Sequence, residues 1–85
     1  MLFKLLKALS DPTRFKIVEL LSKGEICACK FVSLTKKAQP TVSQHLRILE
    51  DAGIIKSRKD GKNVMYSVAN ERIFDLIKIA KEISK

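Results

Sequence analysis

This chain of 85 residues has no tryptophan, one tyrosine, one histidine, two cysteines, three glycines and two prolines, and only nine acidic side chains against seventeen basic ones. Each scarcity excludes something. His45 is the sole histidine, no carboxylate pair stands out and no glycine-rich phosphate loop exists, so no enzyme is expected. Two cysteines leave a structural zinc site short of ligands. Their Cys-x-Cys spacing also differs from the Cys-x-x-Cys with which thiol oxidoreductases lower a thiol pKa at a helix start. No apolar run approaches the roughly 20 residues that span a bilayer. Linkers, repeats and low-complexity tracts are missing, and a chain this short supports one core, so one domain over residues 1–85 is expected. Leu2, Phe3, Leu5, Leu6 and Leu9 around Lys4 and Lys7 make the start amphipathic. It lacks a cleavage site and runs into a helix signal, which favours a packed helix over a targeting segment in a soluble, cytoplasmic protein with no membrane partner.

What is present is apolar content and clustered positive charge. Hydrophobic residues make up 46% and charged ones 31%, the balance of a folded domain. Of the net charge of +8, residues 30–62 carry +5, from eight bases and three acids. A clustered positive face favours polyanions, because each neutralised phosphate releases condensed counterions.

Ser10-Asp11-Pro12 is a helix start, with a capping Asp and a Pro where no N–H is needed. The helix should run to about Lys23 and stop at Gly24, with Ile17, Leu20 and Leu21 inward and Phe15 and Val18 widening the stripe. A short helix over residues 26–35, a turn at 36–38 and a second helix opening near Pro40 have helix-turn-helix spacing. At about 100° per residue, Val42, Leu46 and Leu49 form one stripe, with Pro40, Gln44 and Arg47 opposite. Such a helix is suited to DNA: Gln can pair with adenine and Arg with guanine in the major groove. His45 falls at the edge of the stripe, where a structural role and a DNA contact are equally open. Asp60-Gly61 between strand-like runs 54–59 and 62–68 signals a two-residue hairpin whose tip carries Arg58, Lys59 and Lys62, with Val64, Tyr66 and Val68 facing inward. Asn70 caps a last helix from Glu71, apolar at Ile73, Leu76, Ile77, Ala80 and Ile83, and also at Phe74 and Ile79. With Leu2, Phe3 and Leu6, that is more apolar surface than one small core uses, so a homodimer through the terminal helices is expected.

Leu9-Ser10-Asp11-Pro12-Thr13-Arg14, Thr41-Val42-Ser43-Gln44-His45-Leu46, Leu49, Ala52-Gly53, and Gly61 with Tyr66 together resemble the arsenical-resistance repressor (ArsR/SmtB) family. The resemblance implies a mainly α, winged helix-turn-helix fold in the order α-α-α-α-β-β-α. It further implies a dimeric repressor that leaves its operator when an inducer binds. It adds Gln39 and Pro40 to the reading face, so the candidate contacts to double-stranded DNA are Gln39, Pro40, Thr41, Ser43, Gln44, His45, Arg47, Arg58, Lys59 and Lys62. The chain departs from the family in having Ala38 where a capping Ser is usual and Lys36-Lys37 for Gly-Leu in the turn. The family's site on the terminal helix needs a His, which residues 71–85 lack.

Cys27-Ala28-Cys29 resembles the start of the family's As(III) and antimony sensor pattern, Cys-x-Cys-Asp-Leu-Cys, but Lys30 and Val32 replace the Asp and the third Cys. No obligatory cofactor is expected. Thiolates at Cys27 and Cys29 suit a soft inducer such as As(III), Hg(II) or Cu(I). On a regular helix the two would point about 200° apart, so binding one ion would require the first turn to unwind. Thiol redox sensing and a purely structural Cys27 are the alternatives for the pair. A winged module that docks protein instead of DNA is the alternative for the domain, though a basic wing and polar reading face disfavour it.

Overall fold

Asp11 and Pro12 start a helix as their chemistry favours. In the computed structural model, which describes residues 1–84, the Asp11 carboxylate accepts the Arg14 backbone N–H at 3.0 Å and Pro12 sits in the first turn. This is α2 (Pro12–Leu20). One 3-10 turn, Leu21–Lys23, extends it, and Gly24 ends it at φ +126°. Val18 is fully buried while Leu20 is only half-buried, so the inward stripe is Ile17, Val18 and Leu21. Before it lies α1 (Leu2–Leu9), whose terminal carbonyls Arg14 closes: Nε donates to Ala8 O at 2.7 Å.

The helix expected over residues 26–35 is only half there. Ile26–Cys27 form a short strand, β1, Ala28–Lys30 make a 3-10 turn, and α3 spans Phe31–Thr35. A tertiary partner decides this, since Ile26 pairs with Tyr66 and Cys27 with Met65 in the wing. That pairing satisfies the backbone and seats Ile26 and Tyr66 against the core. Phe31, fully buried, meets the Tyr66 ring edge-on at 6.2 Å.

After α3, Lys36 adopts a left-handed conformation (φ 59°, ψ 28°), the place where glycine is least strained. Buried Thr35 donates from Oγ1 to Phe31 O and accepts the Lys37 N–H, which holds the turn. The helix α4 (Gln39–Asp51) opens without a side-chain cap at Ala38 and buries Val42, Leu46 and Leu49. Its end is a Schellman turn. Gly53 (φ +76°) donates to Glu50 O, Ile54 donates to Leu49 O, and Ile54 is buried beneath it.

The hairpin is β2 (Ile55–Asp60) and β3 (Asn63–Val68), with β1 as a third antiparallel strand in the order β1-β3-β2. Asp60 pairs with Asn63, so the loop is Gly61-Lys62, one residue later than Asp60-Gly61. A turn with positive φ at its first position alone needs glycine only there, and Gly61 supplies it at φ +63°. Tyr66 and Val68 pack on the core; Val64, nearer the tip, does not belong to it. Asn70 Oδ1 accepts the Arg72 N–H at 2.9 Å and starts α5 (Arg72–Ile83). The whole is a winged helix-turn-helix, with α3 and α4 flanking the turn and β2–β3 as the wing.

The Arg14 N–H bond holds the Asp11 carboxyl below its usual range. Its stabilisation is therefore fully present above about pH 4 and lost as pH falls through the lowered value. Asp11→Ala should cost about 1 kcal/mol in urea unfolding at neutral pH, with the gap to wild type narrowing in acid.

Candidate nucleic-acid interface and thiol pair

Burial of Val42, Leu46 and Leu49 turns the opposite side of α4 outward. Gln39, Pro40, Thr41, Ser43, Gln44 and Arg47 are all exposed there. Gln39 Nε2 donates to Ser43 Oγ at 3.2 Å, ordering one turn of that face. Because Ala38 offers no cap, the first-turn N–H groups of Gln39 and Thr41 lack a side-chain partner.

His45 is half-buried and tied to α2. Its Nδ1 lies 3.3 Å from Arg14 Nη1, and a guanidinium can only donate, so Nδ1 accepts. In the neutral ring Nε2 then carries the proton. The partner is 31 residues away, and nothing near His45 in the chain signals it. His45 is thus first a fixed link between α2 and α4.

The wing bases fall into two groups. Arg58 is held by Glu25 in a two-point ion pair, Nε and Nη2 each 2.6 Å from a carboxylate oxygen, which draws the Glu25 carboxyl below its usual range. Arg58 is therefore partly neutralised, unlike the free basic finger expected from sequence. Lys59 and Lys62 are exposed and make no ion pair among the described residues. Ser57 Oγ donates to Glu50 at 2.9 Å, linking the base of the wing to the end of α4.

The cysteines do not point apart. Cys27 leaves the strand and Cys29 lies in the 3-10 turn, which brings their Sγ atoms to 2.6 Å without any unwinding. Cys27 is buried and Cys29 exposed. Cys29 donates to Cys27 from its thiol and from its backbone N–H at 3.4 Å, and with the charge of Lys30 this lowers the Cys27 pKa. Cys29, as donor to a developing thiolate, is raised. Cys27 is therefore the more acidic thiol of the pair, and the two sulfurs meet at a single point.

The terminal helices α1 and α5 leave large apolar side chains exposed. Phe3 is 76% exposed, Leu2 63% and Ile83 78%, with Leu6, Leu76, Ile79 and Ala80 also open. Ile73 and Ile77 are instead buried in the chain's own core, at 8% and 6%, so neither is free for the dimer contact assigned to it from sequence. A shallow groove lined by Leu5, Ile54, Ile73 and Leu76 runs between the helices.

Residues 11–57 match the family described as "Bacterial regulatory protein, arsR family". An HTH-type transcriptional regulator of Methanocaldococcus jannaschii is 43% identical over 81 residues, covering 94% of this chain and 91% of that protein. A cadmium resistance transcriptional regulatory protein CadC homolog of Staphylococcus aureus is 45% identical over 78 residues, covering 91% of this chain but only 64% of that protein. Among solved structures, the homodimeric winged helix-turn-helix DNA-binding domain from Mycobacterium bovis superposes with a TM-score of 0.88 at 25% identity, covering 98% of this chain and 77% of that one.

In Cys29→Ala protein the Cys27 thiolate loses its thiol donor, so Cys27 should titrate at higher pH than in wild type, read as thiolate ultraviolet absorbance against pH.

Proposed function

The chain belongs to the arsR family of bacterial regulatory proteins, and on that premise we propose that it is a homodimeric repressor whose α4 and wing hold operator DNA until a soft metal or metalloid ion binds Cys27 and Cys29. The family is one of DNA-binding transcriptional regulators and not of enzymes. The observation that carries the DNA part is the division of α4, with an apolar stripe locked in the core and a polar face outward beside a basic wing. In this arrangement Ser43, Gln44 and Arg47 read bases. Gln39, Pro40 and Thr41 sit at the end of the helix nearest the backbone, and Lys59 and Lys62 lie along phosphates. His45 acts chiefly by fixing α4 against α2. The exposed faces of α1 and α5, through Leu2, Phe3, Leu6, Leu76, Ile79, Ala80 and Ile83, meet a second copy. No helix among the described residues is long and apolar enough to cross a membrane. A cytoplasmic setting, where DNA and reduced thiols coexist, suits both halves of the proposal.

Anisotropy on DNA upstream of the chain's own gene tests it. Affinity should fall steeply with salt, and two half-sites about 34 Å apart should be protected. Lys62→Ala should reduce the slope of log affinity against log salt by about 0.9, and Arg58→Ala by less, because Glu25 already neutralises it. Salt-insensitive binding would sink the DNA assignment.

The contact between Cys27 and Cys29 carries the sensing part, supported by relatives named as cadmium and arsenical resistance regulators. It also favours a second mode, in which a small-molecule disulfide takes two electrons and leaves as two thiols while a Cys27–Cys29 disulfide forms. Under reductant, a soft ion should release wild-type protein from DNA and leave the Cys27→Ser, Cys29→Ser double variant bound. Equal release of both would end the assignment. Release by the disulfide but by no ion would favour the redox mode.

A further inference from the structure

The third sulfur that the Cys-x-Cys segment lacks lies across the sheet. Cys27 pairs directly with Met65 of β3. Directly opposed residues of an antiparallel pair share a face, with Cβ atoms about 4.5–5.5 Å apart. The adjacent pair, Ile26 and Tyr66, takes the core face, so Cys27 and Met65 share the other one. Cys27 is buried and Met65 half-buried, and neither is part of the main cluster of core side chains around Phe31 and Leu49. Met65 is thus an apolar side chain on the outer face of the wing, outside that cluster. It stands beside a pair of thiols whose sulfurs already touch.

We propose that Cys27, Cys29 and Met65 form a three-sulfur site for Cu(I), with Met65 supplying the third ligand from the central strand of the wing. The proposal rests on the thiol pair as a soft-ion site and names the ion it selects. A thioether is polarizable, uncharged and carried on three rotatable bonds, which lets it close on an ion held by two thiols. Mixed thiolate and thioether donors select Cu(I). As(III) in water is bonded to oxygen and exchanges each bond for an anionic sulfur, which methionine cannot become. Two cysteines therefore leave As(III) incompletely bound, while Met65 completes a neutral position for Cu(I). Exposed Cys29 gives the ion its way in. Binding releases the protons still held by the two thiols and fastens the 3-10 turn to β3. The Glu25–Arg58 ion pair joins the residue before β1 to β2 across the same strand, so the ion would sit beside an existing link between them.

The test titrates reduced full chain with Cu(I) delivered from a competing chelator and, separately, with As(III). It uses wild type, Met65→Leu and Cys27→Ser. Leucine keeps the volume, and circular dichroism checks the fold. Partners one shell further out already change metal affinity about 10–100-fold, so Met65→Leu should lose at least about tenfold in Cu(I) affinity. Its copper X-ray absorption should drop from three sulfurs to two, with As(III) affinity unchanged. Cys27→Ser should lose both ions. Unchanged Cu(I) affinity and sulfur count in Met65→Leu would overturn the third ligand and leave the thiol pair standing. Binding of As(III) but not Cu(I) by wild type would do the same. Failure of wild type to bind either ion would overturn the thiol pair itself.

Discussion

A helix of 13 residues that commits Val42, Leu46 and Leu49 to the core has no freedom left to rotate about its axis. That constraint governs the rest. It turns Ser43, Gln44 and Arg47 outward together and requires α2 and α3 to meet the helix from behind. It also sets where the chain emerges at Gly53 to begin the wing. Truncating one of these three side chains to alanine removes about 2–5 kcal/mol, comparable with the whole stability of a small domain. Orientation of the polar face and stability of the fold are thus one property. Arg14 reinforces it from the side, reaching Ala8 O at the end of α1 and His45 on α4 from a helix that Asp11 has capped.

The second organising contact is much smaller: two residues, Ile26 and Cys27, pair with β3. Without it, residues 26–35 have a plausible helical pattern and the cysteines diverge. With it, Ile26 and Tyr66 enter the core, the 3-10 turn forms, and the two sulfurs meet. The strand also puts Glu25 within reach of Arg58, so the segment before the reading unit and the segment after it are joined by backbone pairing and by charge.

Local chemistry made most of the fold legible. Asp11-Pro12, Gly24, the Ala52-Gly53 turn and Asn70 mark element ends by caps and positive φ, and the stripe of α4 follows from spacing alone. What escaped depends on partners distant in the chain. β1 is too short to show alternation, and only Tyr66 and Met65, about forty residues on, make it a strand. The hairpin loop was displaced by one residue because Asp60-Gly61 and Gly61-Lys62 are both acceptable two-residue turns, and only the pairing of Ile55 with Val68 chooses between them. His45 with Arg14 and Glu25 with Arg58 are side-chain contacts over 31 and 33 residues, invisible to any window. The apolar pattern of α5 could not separate Ile73 and Ile77, which complete the chain's own core, from Leu76 and Ile83, which do not.

These long-range contacts change how a signal at the thiols has to travel. On a helix packed behind α4, an ion would have acted by distorting that helix and pushing on the reading face. In this fold Cys27 belongs to the sheet and Cys29 to the 3-10 turn that follows it, and their nearest mechanical neighbour is β3. The path to α4 then runs from β3 to β2, whose Ser57 holds Glu50 near the end of α4. The other route, through α3 and its buried Phe31, ends at a turn where Lys36 already sits in a left-handed conformation. A rigid core transmits displacement poorly unless an element has two arrangements available. The wing is held by ladder pairs and exposed ionic contacts, whereas α3 is held by buried Phe31. On the proposed function, a ligand at Cys27 acts through the wing on Lys59 and Lys62 before it reaches Ser43, Gln44 and Arg47. Under that proposal the phosphate contacts weaken first and sequence discrimination last.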